Sequence, residues 1–206
     1  MAHSSSIIYS NERLYRVLMR ALYGRHFEAR YRVLADEIPA HSSVIDLCAG
    51  DCYLYRRYLR SKSVSYLGLD LSPALVTAAQ KHGVEAREFD VWRDDIPPAE
   101  VVLMQASLYH FLPQAEKVVA KMLAAARNKV IIAEPIRNLS SSRLAWLAKL
   151  SRRLTKPAPE QSSYSGARFD ENSLTAVFES FPAFQRSFLI PGKREMVGIF
   201  RGEFSG

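Results

Sequence analysis

Residues 43–53 read Ser-Val-Ile-Asp-Leu-Cys-Ala-Gly-Asp-Cys-Tyr, and the reading of this stretch decides how the rest of the chain is read. Val44, Ile45 and Leu47 are apolar and β-prone, which predicts a short buried strand. Asp46 interrupts it near the carboxyl end, and Ala49, Gly50 and Asp51 follow as a tight turn of small residues. Residues 53–59 then predict a helix with Leu54, Tyr58 and Leu59 on one side. A strand, a small-residue turn and a helix start together make a cofactor cradle. The turn brings backbone N–H groups close to a ligand, and the helix N-terminus adds a positive dipole end.

Spacing separates the ligands that use such a cradle. A dinucleotide fingerprint, G-x-G-x-x-G, would fall on Cys48, Gly50 and Tyr53. Tyr53 is too bulky for the close helix–strand packing asked of the third glycine, so a nicotinamide-dependent oxidoreductase ranks last. The pattern D-x-G-x-G-x-G instead falls on Asp46, Cys48, Gly50 and Cys52 and keeps one glycine of three. Residues 64–69 form a second strand that ends in Asp70, followed by Leu71-Ser72-Pro73, a helix start with Ser at the N-cap and Pro at the first helical position. An acid at that strand end can accept hydrogen bonds from both ribose hydroxyls. A third strand, 84–89, ends in Asp90-Val91. A fourth, 100–104, runs into Gln105-Ala106-Ser107-Leu108-Tyr109-His110-Phe111.

Taken in order, these segments resemble the class I S-adenosylmethionine-dependent methyltransferases. V-I-D-L-C-A-G-D-C is similar to their first motif, Y-L-G-L-D-L-S to the second, F-D-V to the third and V-V-L-M-Q-A-S-L-Y-H-F to the fourth. The resemblance covers about residues 43–135, and Cys48 and Cys52 depart from it by replacing glycines. It implies S-adenosylmethionine as cofactor, with S-adenosylhomocysteine as product. It also implies a doubly wound α/β fold of seven mostly parallel strands with the last inserted antiparallel, helices on both faces and two N-terminal helices. Strand–helix alternation ending in a hairpin points to the same architecture.

Ligands of such a sheet bind outside the carboxyl ends of its strands. On that rule Asp70, with Leu71 beside it, is expected at the ribose; the plainer role for Asp70 is a helix N-cap. Asp90 is expected at the adenine amino group and the Val91 N–H at a ring nitrogen; the plainer role for Asp90 is a turn acid. Asp46 and the turn at Cys48, Ala49 and Gly50 are expected at the methionine amine and carboxylate, where a carboxylate beside an ammonium is a charge-assisted pair. Gln105 and Ala106 are expected at the methionine part. Transfer from an activated sulfonium is mainly positioning and exclusion of water, so no base is required. If one exists, His110 is the first candidate, against the plainer role of a histidine satisfied by backbone. Tyr109 would line the methyl-transfer pocket. Glu134 would act as a base or orient an acceptor amine, against a plain hydrogen bond to the following loop. The resemblance also implies N-terminal helices over the cofactor that form part of the acceptor pocket, which makes Tyr9, Tyr15 and Tyr23 candidates for its lining, with Tyr15 and Tyr23 placed first as packing residues.

The remainder of the chain fits one domain of 206 residues with 48% apolar and 24% charged content. Its expected parts are an N-terminal helical cap (1–40), the cofactor-binding core (43–135), helices with a mobile lid (136–184) and a C-terminal hairpin (185–201). Within these, helices are predicted over 10–38 with a break at Gly24, over 114–125, over 139–154 and from Phe169 to Phe181; the fifth strand is 129–133, and 155–168 is the lid candidate. The hairpin strands, 186–190 and 196–200, pair around Pro191-Gly192. No run approaches a membrane span, the N-terminal segment is no secretory signal, and two cysteines make no disulfide framework, so a cytoplasmic protein is expected. No metal is expected, because no Cys or His set has ligand spacing.

The net charge of +7 admits a polyanionic partner, but the basic residues are scattered with no run of five, and solvated helix faces are at least as good a reading. The N/D-P-P-Y/F pattern of amino-methylating DNA enzymes is missing after the fourth strand, where Gln105-Ala106-Ser107-Leu108 stands. A small-molecule acceptor therefore leads. Nucleic-acid or protein methylation is second, and a cofactor-binding protein without transfer activity is third.

Overall fold

The computed structural model describes residues 24–136 and 168–204. Tyr9, Tyr15, Tyr23, the first predicted N-terminal helix, the helix predicted over 139–154 and nearly all of the lid candidate lie outside the described residues. The strands are β1 (Ser43–Leu47), β2 (Ser65–Asp70), β3 (Ala86–Glu88), β4 (Ala99–Gln105), β5 (Ala126–Pro135), β6 (Phe184–Leu189) and β7 (Glu195–Arg201). The helices are α1 (Phe27–Glu37), α2 (Pro73–Lys81), α3 (Ala115–Ala125) and α4 (Glu171–Glu179).

The strands form one sheet in the order β3-β2-β1-β4-β5-β7-β6. The first five are parallel, and β7 runs antiparallel to both β5 and β6. Parallel strands buried on both faces read as continuous apolar runs. In β4, Val101, Val102, Leu103 and Met104 are all buried. Their side chains alternate between two cores. Leu103, Ile131, Val44, Tyr66 and Val197 pack with α1 and α2. Met104, Ile132, Ile45, Leu47 and Phe200 pack with α3 and α4.

Helix boundaries follow local chemistry. Gly24 adopts φ +52 and opens a short 3-10 turn before α1, the break expected there. Pro73 sits in the first turn of α2, as expected, although the Ser72 side chain makes no capping bond. At α4, Asp170 Oδ1 accepts the Ser173 N–H at 2.8 Å and Ser173 Oγ accepts the Asp170 N–H at 3.0 Å. This reciprocal capping box fixes the helix start.

Three local expectations change. β5 is longer than predicted because its pairing with β7 runs from Lys129–Arg201 to Pro135–Glu195, and its other end meets α3 directly. β3 is shorter, since it pairs only with β2, from Gly68–Ala86 to Asp70–Glu88. The predicted helix over 53–59 winds as a π-helical turn, Tyr55–Leu59, with Leu54 and Leu59 buried.

Candidate functional site

The turn after β1 explains the glycine pattern and its departures. Cys48, Gly50 and Cys52 have φ of +55, +58 and +54. The left-handed conformation therefore falls on all three positions that D-x-G-x-G-x-G would fill with glycine. A non-glycine residue there costs ~1–2 kcal/mol, so the two cysteines hold the same path under strain. Asp70 fastens the turn from the end of β2. Its Oδ2 accepts the Gly50 N–H at 2.8 Å and its Oδ1 accepts the Ser72 N–H at 2.9 Å. Ala49 N–H also bonds the Leu69 carbonyl at 3.1 Å. A Cβ built on Gly50 would meet nothing within 4 Å, so the mouth of the turn is open.

Of the two cysteines, Cys48 is half-buried and Cys52 is buried in the core beneath the turn. Cys52 thus packs inward rather than lining a ligand. A Cβ built on Gly68 of β2 would lie 2.5 Å from Cys52 Sγ and 3.3 Å from Ala49 Cβ. The thiol occupies the room that a side chain at 68 would need. Burial, then the charge of Asp46, pushes the Cys52 thiol up to about 12; burial and Asp70 likewise raise Cys48. Both thiols stay protonated and unreactive at neutral pH. Gly68→Ala is expected to destabilise the fold by about 1–3 kcal/mol, the usual range for overpacking. Adding Cys52→Gly makes room and relieves the left-handed strain, so the double variant should recover much of the loss in urea unfolding. A Gly68→Ala midpoint equal to wild type would disprove the fit.

Asp46 has a structural partner that the sequence did not suggest. Tyr66 Oη donates to Asp46 Oδ2 at 2.7 Å, and both residues are buried. Burial, opposed by the Tyr66 hydrogen bond and aided by the charges of Asp70 and Asp51, raises Asp46 to about 7. Asp70 is raised too, by burial against its two backbone hydrogen bonds.

Around the end of β3, Asp90 is a turn acid in this structure: Oδ1 accepts the Trp92 N–H at 2.9 Å and Oδ2 lies 3.5 Å from Arg93 Nε. Val91 is buried, and its carbonyl accepts from Lys121 Nζ at 2.6 Å. Leu71 and Trp92 are the exposed large apolar side chains among the described residues, 64% and 49% exposed. Leu71 follows Asp70 directly, and Trp92 stands two residues after Asp90. Trp92 stands edge-on to Phe111 with centroids 5.5 Å apart. Sequence reading passed over Trp92; an aromatic two residues past an acid at a strand end was the available signal.

After β4 the chain turns sharply. Ala106 takes φ +55 and its N–H bonds the Ala133 carbonyl at 2.7 Å. Ser107 Oγ donates to the Gln105 carbonyl at 3.1 Å. The Leu108 N–H donates to Glu134 Oε2 at 2.8 Å, which fixes the 3-10 turn Leu108–Phe111 that carries Tyr109 and His110. Glu134 is 0% exposed, and its Oε1 has no hydrogen-bond partner. Burial raises it to about 8, against the Leu108 bond and with the help of Glu195. A carboxyl that keeps its proton at pH 7 is better suited to holding this turn than to abstracting a proton. His110 meets solvent on one side and the Tyr109 ring on the other, centroids 3.9 Å apart. Burial of the ring, then the charge of Arg168, pushes its imidazole down to about 4, so it is neutral at pH 7 and a weak base. Arg168, the last residue of the lid candidate, sets its guanidinium 3.3 Å from the Tyr109 ring centroid. The structure thus brings Tyr109, His110, Glu134 and Arg168 into one neighbourhood.

A second buried group lies across the sheet. Arg30 of α1 donates to both oxygens of Glu195, Nε to Oε2 at 2.9 Å and Nη2 to Oε1 at 3.1 Å, each residue 2% exposed. Gln105 Nε2 reaches Glu195 Oε1 at 3.5 Å. Arg30 is therefore not one of the solvated basic residues that the scattered charge suggests. The signal was present: Arg30 falls on the stripe of Phe27, Tyr31 and Leu34, where a charge needs a buried partner.

No protein-family model matches the chain, and no curated protein matches it. Solved structures do. A chain of the Haloferax volcanii complex between the Trm112 methyltransferase activator and a methyltransferase matches with TM-score 0.69 at 13% identity, over 98% of this chain and 99% of that one. A TehB-like S-adenosylmethionine-dependent methyltransferase from Corynebacterium glutamicum matches with TM-score 0.63 at 16% identity, over 95% and 98%. Magnesium protoporphyrin IX methyltransferase from Synechocystis, solved with bound S-adenosylhomocysteine, matches with TM-score 0.63 at 14% identity, over 95% and 97%. The fold of this chain is the class I methyltransferase fold, as the motif order implied. No helix among the described residues is long and apolar enough to cross a membrane.

Proposed function

We propose that this protein is an enzyme that transfers the methyl group of S-adenosylmethionine to a small-molecule acceptor. The observation that carries the reading is the left-handed turn fastened by Asp70, at the point where the sheet order reverses between β1 and β4. Adenosine with an amino-acid tail fits the donor set along this edge. Each Asp70 oxygen accepts one N–H and keeps a lone pair for a ribose hydroxyl. Leu71 and Trp92 offer apolar surface to an adenine, with Asp90 and Val91 at its edge. Asp46 and the open turn at Cys48, Ala49 and Gly50 receive the amine and carboxylate, with Gln105 and Ala106 opposite. When bound, S-adenosylmethionine supplies an already activated methyl on sulfur, and the chain supplies alignment and exclusion of water. Tyr109 lines the transfer side, with neutral His110 beside it, and Glu134 keeps the turn in place.

A small acceptor is favoured over nucleic acid by where the basic side chains go. Arg30 is buried on Glu195, Arg56 lies on Asp51 at 3.5 Å, and Lys129 and Arg186 share Glu37 at 3.4 and 2.6 Å. These four basic side chains are thus answered locally rather than presented to a polyanion.

Calorimetric titration with S-adenosylmethionine and S-adenosylhomocysteine, with NAD as control, tests the cofactor. Saturable binding of the first two alone supports the reading, and binding of NAD alone overturns it. The titration also carries a pH signature. Asp46 starts near 7, and an ammonium beside it favours its ionised form, so binding releases a proton below pH 7. Affinity is expected to rise about tenfold from pH 5.5 to 7 and to level above. Asp46→Asn should flatten that rise. An unchanged slope in the variant would take Asp46 away from the amine.

A further inference from the structure

We propose that Glu195 and Arg30 are positioning residues that fix the orientation of the Gln105 carboxamide, so that its oxygen rather than its nitrogen faces the cofactor's ammonium group. The inference rests on the S-adenosylmethionine reading above and assigns part of that site to residues outside the motifs.

The argument starts from donor and acceptor chemistry. A glutamine amide has one end that donates and one that accepts, and the two ends are nearly equal in shape. Which end faces a ligand is set by what the other end touches. Glu195, bridged by both arms of the Arg30 guanidinium, is acceptor only. The Gln105 Nε2 lies on its Oε1 side at 3.5 Å, so the Gln105 oxygen is turned the other way. Gln105 is one residue beyond the Leu47–Met104 register pair, which puts it level with Cys48, the first left-handed residue of the cradle turn. Neither Glu195 nor Arg30 is near the cradle in sequence. β7 and α1 bring them to the end of β4 from opposite ends of the chain. The buried pair also sets the cost of error: with the amide reversed, a donor would face the ammonium and an oxygen would face Glu195.

The test separates the amino-acid end of the ligand from its nucleoside. Two probes are titrated, S-adenosylhomocysteine and 5′-methylthioadenosine, which shares the thioether nucleoside and lacks the amino acid. In Arg30→Met/Glu195→Leu the ion pair is replaced by apolar side chains, a change that folded proteins often tolerate. Affinity for S-adenosylhomocysteine is expected to fall about tenfold or more, the loss of one hydrogen bond to a charged group, while 5′-methylthioadenosine binds as before. Gln105→Glu supplies the decisive arm, because a carboxylate presents oxygen whichever way it turns. In the wild-type background, where the amide oxygen already faces the ammonium, the substitution should bring no comparable gain for S-adenosylhomocysteine. In the double variant it should restore the lost affinity. Equal losses for both probes, no loss for S-adenosylhomocysteine, or no recovery with Gln105→Glu would each overturn the proposal. Wild-type protein that binds neither probe would overturn the cofactor reading itself.

Discussion

Asp70→Ala is expected to lower affinity for S-adenosylhomocysteine by at least a factor of about one hundred. A hydrogen bond to a charged group is worth roughly 1.5–3 kcal/mol, and the ribose offers two hydroxyls to this carboxylate. Two such bonds amount to about 3–6 kcal/mol, and a hundredfold is about 2.7 kcal/mol. The structure adds a second reason for a large effect. Asp70 also holds the Gly50 N–H and the Ser72 N–H, so its removal releases the turn that shapes the cradle. Asp70→Asn should do nearly as badly. An amide has one accepting end, and its NH₂ would face one of two backbone donors that now meet carboxylate oxygens. Asp90→Ala is the internal comparison: Asp90 is tied to its own turn through Trp92 and, on the proposed reading, would offer one contact to an adenine, so the loss should be nearer tenfold. Calorimetry on the three variants gives the order. Unchanged affinity in Asp70→Ala would remove Asp70 from the ribose site and leave it a purely structural cap.

The parts of this protein that were legible in its sequence are those encoded by local pattern. Strand–helix alternation ending in a hairpin predicts a mostly parallel, doubly wound sheet, and the buried apolar runs of β4 and β5 agree with strands covered on both faces. The acids at the ends of β1, β2 and β3 stand where chain direction and sheet geometry place ligands. The glycine pattern was legible in its spacing although two glycines are missing: φ is left-handed at Cys48 and Cys52 as at Gly50, so the backbone path is kept and only the residue types differ. What was not legible depends on contacts between distant segments. Nothing near Asp46 announces Tyr66, 20 residues away on the adjacent strand. The Arg30–Glu195 pair spans 165 residues, and its hint, a charge on an apolar helical stripe, names a need for a partner without naming the partner. Arg168 was read as the end of a polar loop, and only the fold lays its guanidinium on Tyr109.

Glu134→Gln is expected to change how stability depends on pH, and the sign follows from burial. The folded-state value is raised from 4.5 to about 8, so the native protein holds a proton there that the unfolded chain releases. Stability from this group is therefore fullest below pH 4.5 and is lost as pH rises through the window up to 8. At 1.36 kcal/mol per pH unit the whole window is worth about 5 kcal/mol, and the part between pH 5.5 and 8.5 about 3 kcal/mol. Asp46 adds a slope of the same sign between 3.8 and about 7, but it is present in both proteins and cancels in their difference. Glutamine resembles the protonated acid: its oxygen can accept the Leu108 N–H, and it has no proton to lose. The variant should therefore gain on wild type as pH rises, by on the order of 10 °C in Tm between pH 5.5 and 8.5, since 1 kcal/mol is worth about 2–4 °C at this chain length. Any constant cost of the added NH₂ shifts both ends alike and leaves the slope untouched. Parallel melting curves would mean that Glu134 is ionised and satisfied in solution, and its reading as an acceptor-orienting base would then regain the ground that burial takes from it. A variant that gains on wild type as pH rises, with transfer activity retained, would assign Glu134 to holding the Leu108–Phe111 turn under Tyr109 and His110.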